Sequence, residues 1–480
     1  MAIAIADTAL LPDGGGPPLP AAILVEGDRI LGIAHGDEMA ALVARAGAVH
    51  DARGALALPG FVNAHHHSYG DALRGTENDL PLELWAYFTA AWGRALDDAT
   101  MRLAILLGAA EMLRAGFTAV LDHAPHFGLR HAALAAHRES GMRVGFAPML
   151  HDLHDHHLMG FSLPEDLRVR LEGAGFPTHD AYAVAFREMA QDLRGDARVG
   201  LLLGPNAPQR CSPDLLLLWR RLRDDLALPV HAHLLETRAQ AVLCRAQWSG
   251  GVVAELARRG LLASGTSFAH CVWARPEELD LIARHGVAVV HNPASNLMLG
   301  SGIMPFADCA SRGIALGLGS DSANTGGRAD PFEAMRLATM LPRLDARAGR
   351  FPGAVEALAM AGIGGAAALG LARETGRIAS GRLADLVLLR LGDAATASAL
   401  PSAETVLRHG SPAHVEATMV GGAWAFRDGR VLAFDEAAAL RDFAAHAQDL
   451  VARAAAGRRA ARTAATLLAP ALEAYCGRAG

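Results

Sequence analysis

Residues 117–150 read FTAVLDHAPHFGLRHAALAAHRESGMRVGFAPML. The stretch opens on an apolar run of strand type, FTAVLDH, passes through a Pro/Gly turn into LRHAALAAHRE with apolar residues at helical spacing, and returns to strand pattern in MRVGFAPML. The same alternation continues outward in both directions. Helical AYAVAFREMAQDL (181–193) is followed by VGLLLGP (199–205), and helical SPDLLLLWRRLRDD (212–225) by LPVHAHLLE (228–236). TSFAHC (266–271), VAVVHNP (287–293) and GIALGLGSD (313–321) supply further strands. Strand and helix alternating over about three hundred residues, with polar residues where strands end, predicts an α/β protein built on a (β/α)8 TIM-like barrel whose site lies at the carboxyl face.

Both ends of the chain read differently. AILVEGDRILGIAHGDE (22–38) has hairpin patterning with Gly27 and Asp28 at the bend, and β patterning returns in GRLADLVLLRL (381–391) and VEATMVGGAWAFRDGRVLAF (415–434). Neither end alone has enough strands to bury a sheet face, so the two are expected to combine into one small β-sandwich domain beside the barrel. The expected division is 1–57 and 376–435 for the sandwich, 58–375 for the barrel, and 436–480 for an alanine- and arginine-rich tail of helices. That tail packs on its own chain or on a second subunit, which leaves a homodimer open.

With 480 residues, 51% hydrophobic and 20% charged, the chain can bury a large core. Its net charge of −6 is spread, with no basic stripe, and aromatic residues concentrate only around Trp85, Tyr87, Phe88 and Trp92. No nucleic-acid partner is therefore expected, and the partner is a small-molecule substrate. The amino terminus lacks a signal-peptide pattern and apolar stretches are broken before about 18–20 residues, so a cytoplasmic protein without a membrane partner is expected. Five cysteines without a CxxC pair do not make a disulfide framework, and Cys271 reads as a small buried residue.

The chemistry sits where the strands end. In NAHHH, alternation sends His65 and His67 to one side and His66 to the other, so two imidazoles can reach one ion. In HAHLLE, His233 can bind the metal while Glu236, three residues on, hangs over the bound water. His270 ends the strand of FAHCVW, and Asp321 in LGSDS supplies an anionic ligand that can also accept a proton. Each piece alone has a bland reading, since 22 histidines make HxH by chance and an aspartate after a strand is often a helix cap. Their order along the barrel, at about its first, fifth, sixth and eighth strands, makes one metal site of them.

These motifs, with LRGTENDLPL (73–82), GPNAPQRCSP (204–213), HNPASNLMLGSGIMP (291–305) and ADLVLL (384–389), resemble the amidohydrolase superfamily, in the branch of cytosine, guanine and S-adenosylhomocysteine deaminases and triazine hydrolases. The resemblance implies that His65, His67, His233 and Asp321 bind one divalent metal, that Glu236 shuttles protons, and that His270 polarises the substrate or holds the attacking water. All 44 basic residues are arginine, so no carboxylated lysine can bridge two metals, as it does in dihydroorotase-like relatives. Zn2+ suits the ligands, and Fe2+ is the alternative.

The expected reaction is hydrolytic deamination of a nitrogen heterocycle, with ammonia released. The alternative is hydrolysis of an amide, urea, N-alkylamine or chloro substituent at the same site, and a non-enzymatic scaffold would have no need of all six positions. Substrate contacts are expected from Arg74 and Trp85 after the first strand, from Asn206 and from His291. Asn296 is placed to brace the metal shell or touch substrate. Arg74 could instead pair with Glu77 or Asp79. Nucleoside-deaminating relatives carry histidine where this chain has Asn206, which points to a free base, pterin, pyrimidine or triazine-like ring. The histidines of MLHDLHDHHLMG (149–160) read as solvated, and His123 and His126 as lying near the pocket mouth.

Overall fold

The computed structural model describes residues 2–12, 15–344, 350–397 and 402–477. Eight parallel strands form the barrel: Phe61–His66, Phe117–Ala124, Arg143–Leu150, Val199–Leu201 with Gly204–Pro205, Val230–Leu234, Thr266–His270, Ala288–His291 and Leu316–Leu318. Neighbours pair in sequence order. A bridge from Leu203 to Val230 joins the fourth strand to the fifth, and one from His66 to Asp321 closes the ring between the eighth and the first. Helices Arg130–Ser140, His179–Asp192, Pro213–Leu226, Arg238–Gln247 and Pro276–Arg284 return the chain between strands, as the helical spacing predicts.

Inside the barrel the lower layer is small and apolar: Val62, Ala64, Ala119, Leu121, Ala147 and Val290 cluster with Ala366, Ala368 and Leu369, which seal the amino-terminal end. Close approach there requires glycine. A Cβ on Gly364 would lie 1.9 Å from the Leu316 carbonyl oxygen, and one on Gly365 2.8 Å from Val62 Cβ. Met360–Gly364 forms a π-helical turn between two short α-helices.

The two ends of the chain meet in a single nine-stranded sheet. Its central joint is Ala55–Pro59, parallel to Ile3–Leu10 on one side and antiparallel to Leu386–Arg390 on the other. The expected hairpin is there, Leu19–Glu26 with Arg29–Ala34 around Gly27 and Asp28. Arg29 also bridges to Leu383, so the sheet curls and encloses Ile5, Ile23, Val25, Leu386, Leu388 and Met419 in one cluster. Arg143 ties sheet to barrel through a buried ion pair, Nε to Asp385 Oδ2 at 2.8 Å and Nη2 to Oδ1 at 3.1 Å.

The tail is one α-helix, Glu436–Gly477, rather than several, and runs through Pro470 without ending. It lies on its own chain, against helices Leu82–Gly93, Asp98–Arg114, Glu165–Glu172 and Arg238–Gln247. Among the described residues no helix is long and apolar enough to cross a membrane.

Candidate metal centre and substrate cavity

Strand alternation aims the histidines as the sequence requires. His65 and His67 turn into the barrel, while His66 turns out, with Nε2 2.8 Å from Asp71 Oδ2 and Nδ1 2.8 Å from the Asp321 carbonyl. Four imidazoles converge: ring centroids of His65 lie 4.7 Å from His67, 4.9 Å from His233 and 5.4 Å from His270. Three of the strand ends that carry the site leave the ordinary backbone regions, with positive φ at Leu235 (47°), His270 (75°), Cys271 (50°) and Asp321 (61°). Left-handed backbone costs a residue with a Cβ roughly 1–2 kcal/mol, so the surrounding structure holds these ends where the chemistry needs them.

Proton placement follows from the partners. His67 Nδ1 donates to the His123 carbonyl at 2.6 Å, His233 Nδ1 to the Asn206 carbonyl at 2.7 Å, and His270 Nδ1 to Asn296 Oδ1 at 2.8 Å. For His65 the chain is longer. The Ser267 hydroxyl donates to the Ala368 carbonyl and so accepts from His231 Nδ1, which leaves His231 Nε2 to accept from His65 Nδ1 at 2.8 Å. Every Nε2 of the four is therefore a bare lone pair, and all point inward.

That arrangement asks for a cation. His67 Nε2 and His233 Nε2 face each other at 3.3 Å with no proton between them, and His65 Nε2 is buried with no hydrogen-bond partner among the described residues. Asp321 Oδ1 lies 3.2 Å from His67 Nε2 and 3.7 Å from His65 Nε2. Bonds of about 2.0–2.2 Å to one tetrahedral ion would set its ligands about 3.3 Å apart, close to these separations. Burial, reinforced by the neighbouring imidazoles, pushes His65 and His233 well below the usual histidine range, which keeps them neutral. His65, His67, His233 and Asp321 thus fit a divalent metal.

The two carboxyl groups of the site are driven apart. Burial alone would raise Asp321, but hydrogen bonding, with the Ser295 hydroxyl donating to Oδ2 at 2.7 Å, holds it far below the usual range. Glu236 goes the other way: burial first, then the Asp321 and Glu83 carboxylates, push it well above. Glu236 Oε2 lies 3.6 Å from His270 Nε2. One carboxylate thus rests as an anion and the other holds a proton more readily, the pattern of an acid–base pair.

A cavity of about 300 Å³ opens beside them, with His67, His233, Glu236 and Asp321 at one end. Trp85 lines it, and its indole nitrogen is buried and unpartnered among the described residues. Asn206 lines it too, accepting from Arg210 Nη1 at 2.8 Å. Two expected contacts lie elsewhere. Arg74 points away from the cavity and donates to Asp71 Oδ1 and Glu111 Oε2, both at 2.7 Å, rather than to Glu77 or Asp79. His291 is buried outside the lining, and burial drops its pKa to about 3. Asn296 braces His270.

The histidine-rich loop corrects the sequence reading. His151, His154 and His156 line the cavity instead of standing in solvent, His151 and His154 against the Phe176 ring and His156 beside Tyr87 and Glu172. His126 also lines the cavity, whereas His123 is fully buried beside His233, 4.7 Å between ring centroids. Cys271 is buried, and burial raises its thiol well above the range of a nucleophile. The sequence reasoning missed His231, although the rule that paired His65 with His67 pairs it with His233. It also missed Glu83, a buried cavity carboxylate bonded to the Thr237 hydroxyl.

Neutral imidazoles and a fixed anion around one point, beside a carboxyl group that can move protons, are the working parts of a metal-dependent hydrolase. The chain belongs to the amidohydrolase family, whose sequence profile matches residues 56–425, and it is a hydrolytic enzyme acting on carbon–nitrogen bonds. It is 32% identical over 421 residues to a 5'-deoxyadenosine deaminase of Methanothermobacter thermautotrophicus, covering 86% of this chain and 91% of that one. A 5-methylthioadenosine/S-adenosylhomocysteine deaminase of Nitratidesulfovibrio vulgaris is 33% identical over 390 residues, with 80% and 83% covered. Among solved structures, an adenosine deaminase from Xanthomonas campestris with bound zinc superposes with a TM-score of 0.83 at 25% identity, over 95% of this chain and 98% of that one.

Proposed function

We propose that the protein is a metal-dependent deaminase that replaces the exocyclic amine of an adenine-type heterocycle with oxygen from water, releasing ammonia. The observation that carries this reading is Glu236, a carboxyl group kept protonatable beside Asp321 at the metal end of the cavity. His65, His67, His233 and Asp321 would hold a divalent ion, which would supply Lewis acidity and bring the pKa of a water to roughly 7. Glu236 takes a proton from the attacking water and delivers it to the ring nitrogen next to the reacting carbon, and then, recharged with the water's second proton from Asp321, protonates the departing amine. His270, held by Asn296, steadies the developing charge, and Asp321 accepts the second proton of the water. One ion per chain, zinc before iron, accords with the ligand types and with a sequence that has no lysine.

For the substrate, the names of the two relatives favour a nucleoside over the free ring that Asn206 suggested. Glu83 supports the same choice, because a buried carboxylate facing the cavity can accept from sugar hydroxyls. Trp85 and Asn206 then flank the base. The curled terminal sheet is taken as a small sandwich-like domain with the divisions 1–57, 58–375, 376–435 and 436–480. Five free cysteines suit a reducing, cytoplasmic setting.

The test is ammonia release by metal-restored protein from adenosine, 5'-deoxyadenosine, methylthioadenosine and S-adenosylhomocysteine, beside adenine, guanine, cytosine, pterins and aminotriazines. Turnover of the nucleosides alone supports the full reading. Turnover of free rings alone removes the nucleoside assignment and keeps the deaminase. No ammonia from any of them overturns the deaminase.

A further inference from the structure

The cavity wall carries a second set of metal-type donors. The turn of helix Asp155–Leu158 presents His156 and His157 to helix Glu165–Glu172, and both imidazoles aim Nε2 at the same atom, Glu172 Oε1, at 3.1 and 2.8 Å. The three donor atoms lie within 4.8 Å of one another. His156 is 3% exposed and lines the cavity with Glu172, while the side chain of His157 is 52% exposed, so the cluster joins the cavity rim to solvent. His154 stands beside them, its ring centroid 5.4 Å from His156 and 6.0 Å from His157. The other carboxylate oxygen of Glu172 is occupied by Arg168 Nη1 at 2.8 Å, which fixes the carboxylate plane and leaves Oε1 to the histidines.

Two imidazole nitrogens on one carboxylate oxygen can be satisfied in two ways: by a proton on each nitrogen, or by one cation that all three donors share. Two nitrogens and an oxygen bonded to zinc at about 2.0–2.2 Å stand about 3.3 Å apart; the two nitrogen–oxygen separations present are 3.1 and 2.8 Å, and the two nitrogens lie within 4.8 Å of each other. The donors need only small side-chain rotations to take an ion, and the exposed side leaves room for water as the remaining ligand. The sequence HDHH supplies the residue types, and the packing of the two helices supplies the convergence that a solvated loop would lack.

We propose that His156, His157 and Glu172 form a second, exchangeable binding site for a zinc-type divalent cation at the cavity rim, separate from the catalytic centre. Occupation joins the 154–158 segment to helix Glu165–Glu172 across the cavity end.

The experiment is a calorimetric titration of the holoenzyme, loaded with its one tightly held ion, with Zn2+ alone. A second equivalent binds to the unaltered protein, and H157A and E172Q each weaken it at least about tenfold or abolish it while the first ion stays in place. His157 lies outside the cavity lining, so H157A also keeps basal turnover; it decides the matter alone if E172Q fails to fold. A holoenzyme that takes up no second equivalent, or variants that bind it as tightly as the unaltered protein, overturns the proposal.

Discussion

His231 Nε2 lies 2.8 Å from His65 Nδ1, and the other nitrogen of His231 rests on the Ser267 hydroxyl at the same distance. The pair fixes which nitrogen of His65 carries the proton, and so which can bind metal. Removing the support leaves the ligand free to choose the wrong tautomer. H231F is expected to weaken metal binding about 10–100-fold, and S267A less, measured by competition with a chelator of known affinity. Unchanged affinity in H231F would show that His65 needs no such support.

Glu236 has no part in holding the ion in this reading, so its removal should separate binding from turnover. E236Q is expected to retain its metal and lose about 10²–10⁴-fold in kcat. Metal analysis and single-turnover kinetics on one preparation check both halves, and intact turnover would dismiss the proton-transfer role.

The tail helix reaches the substrate wall through Glu77. That carboxylate accepts from Trp92 Nε1 at 3.0 Å and from Arg458 Nε at 2.9 Å, and the Arg458 guanidinium sits 4.5 Å over the Trp92 ring. Trp92 belongs to helix Leu82–Gly93, which also carries Glu83 and Trp85. R458A is expected to raise KM about 3–10-fold with kcat and metal content little changed, the signature of lost substrate positioning. A fall in kcat alone would argue against it.

Gly364 tests the seal of the barrel. In G364A the new methyl would meet backbone at 1.9 Å, which no side-chain rotation relieves. A loss of about 1–3 kcal/mol or more in unfolding free energy is expected from urea midpoints. G128A, whose methyl meets nothing within 4 Å, should change stability by no more than about 0.5 kcal/mol.

Hydrogen bonds from Arg258 and Arg259, larger than the opposing effect of burial, hold the Glu255 carboxyl down at about 2. The folded-state value is below the unfolded one, so the contribution is present above about pH 4.5 and is lost as pH falls towards 2. Screening at the surface limits it to about 1 kcal/mol. E255Q should therefore be less stable than the unaltered protein at pH 7 and converge with it near pH 2, in denaturation curves taken at both ends.

How much was legible differs from residue to residue for physical reasons. His65, His67, His233, His270 and Asp321 could be placed because strand alternation and barrel order are local rules, and the structure brings them together. His231 obeys the same alternation, but its role depends on a contact with His65, 166 positions away, which no local rule supplies. Arg74 could not be placed, since its partner Glu111 comes from a helix 37 positions away. The loop at 149–160 reads as solvated because its own sequence does not show that His151 and His154 pack on Phe176 and that His156 meets Glu172. The hairpin at Gly27 was readable from turn chemistry, whereas the curl that closes the terminal sheet depends on Arg29 finding Leu383.

Ala55–Pro59 hydrogen-bonds to Leu386–Arg390, a strand more than three hundred residues later in the chain. At about 5–20 residues per second, a ribosome needs roughly fifteen seconds to a minute to bridge that interval. Until then one flank of an apolar strand has no neighbour, which is the kind of edge that recruits other chains. Whatever shields Ala55–Pro59 during synthesis is therefore expected to raise the yield of folded protein in a cell, and slowing translation should favour aggregation even though the finished molecule is unchanged.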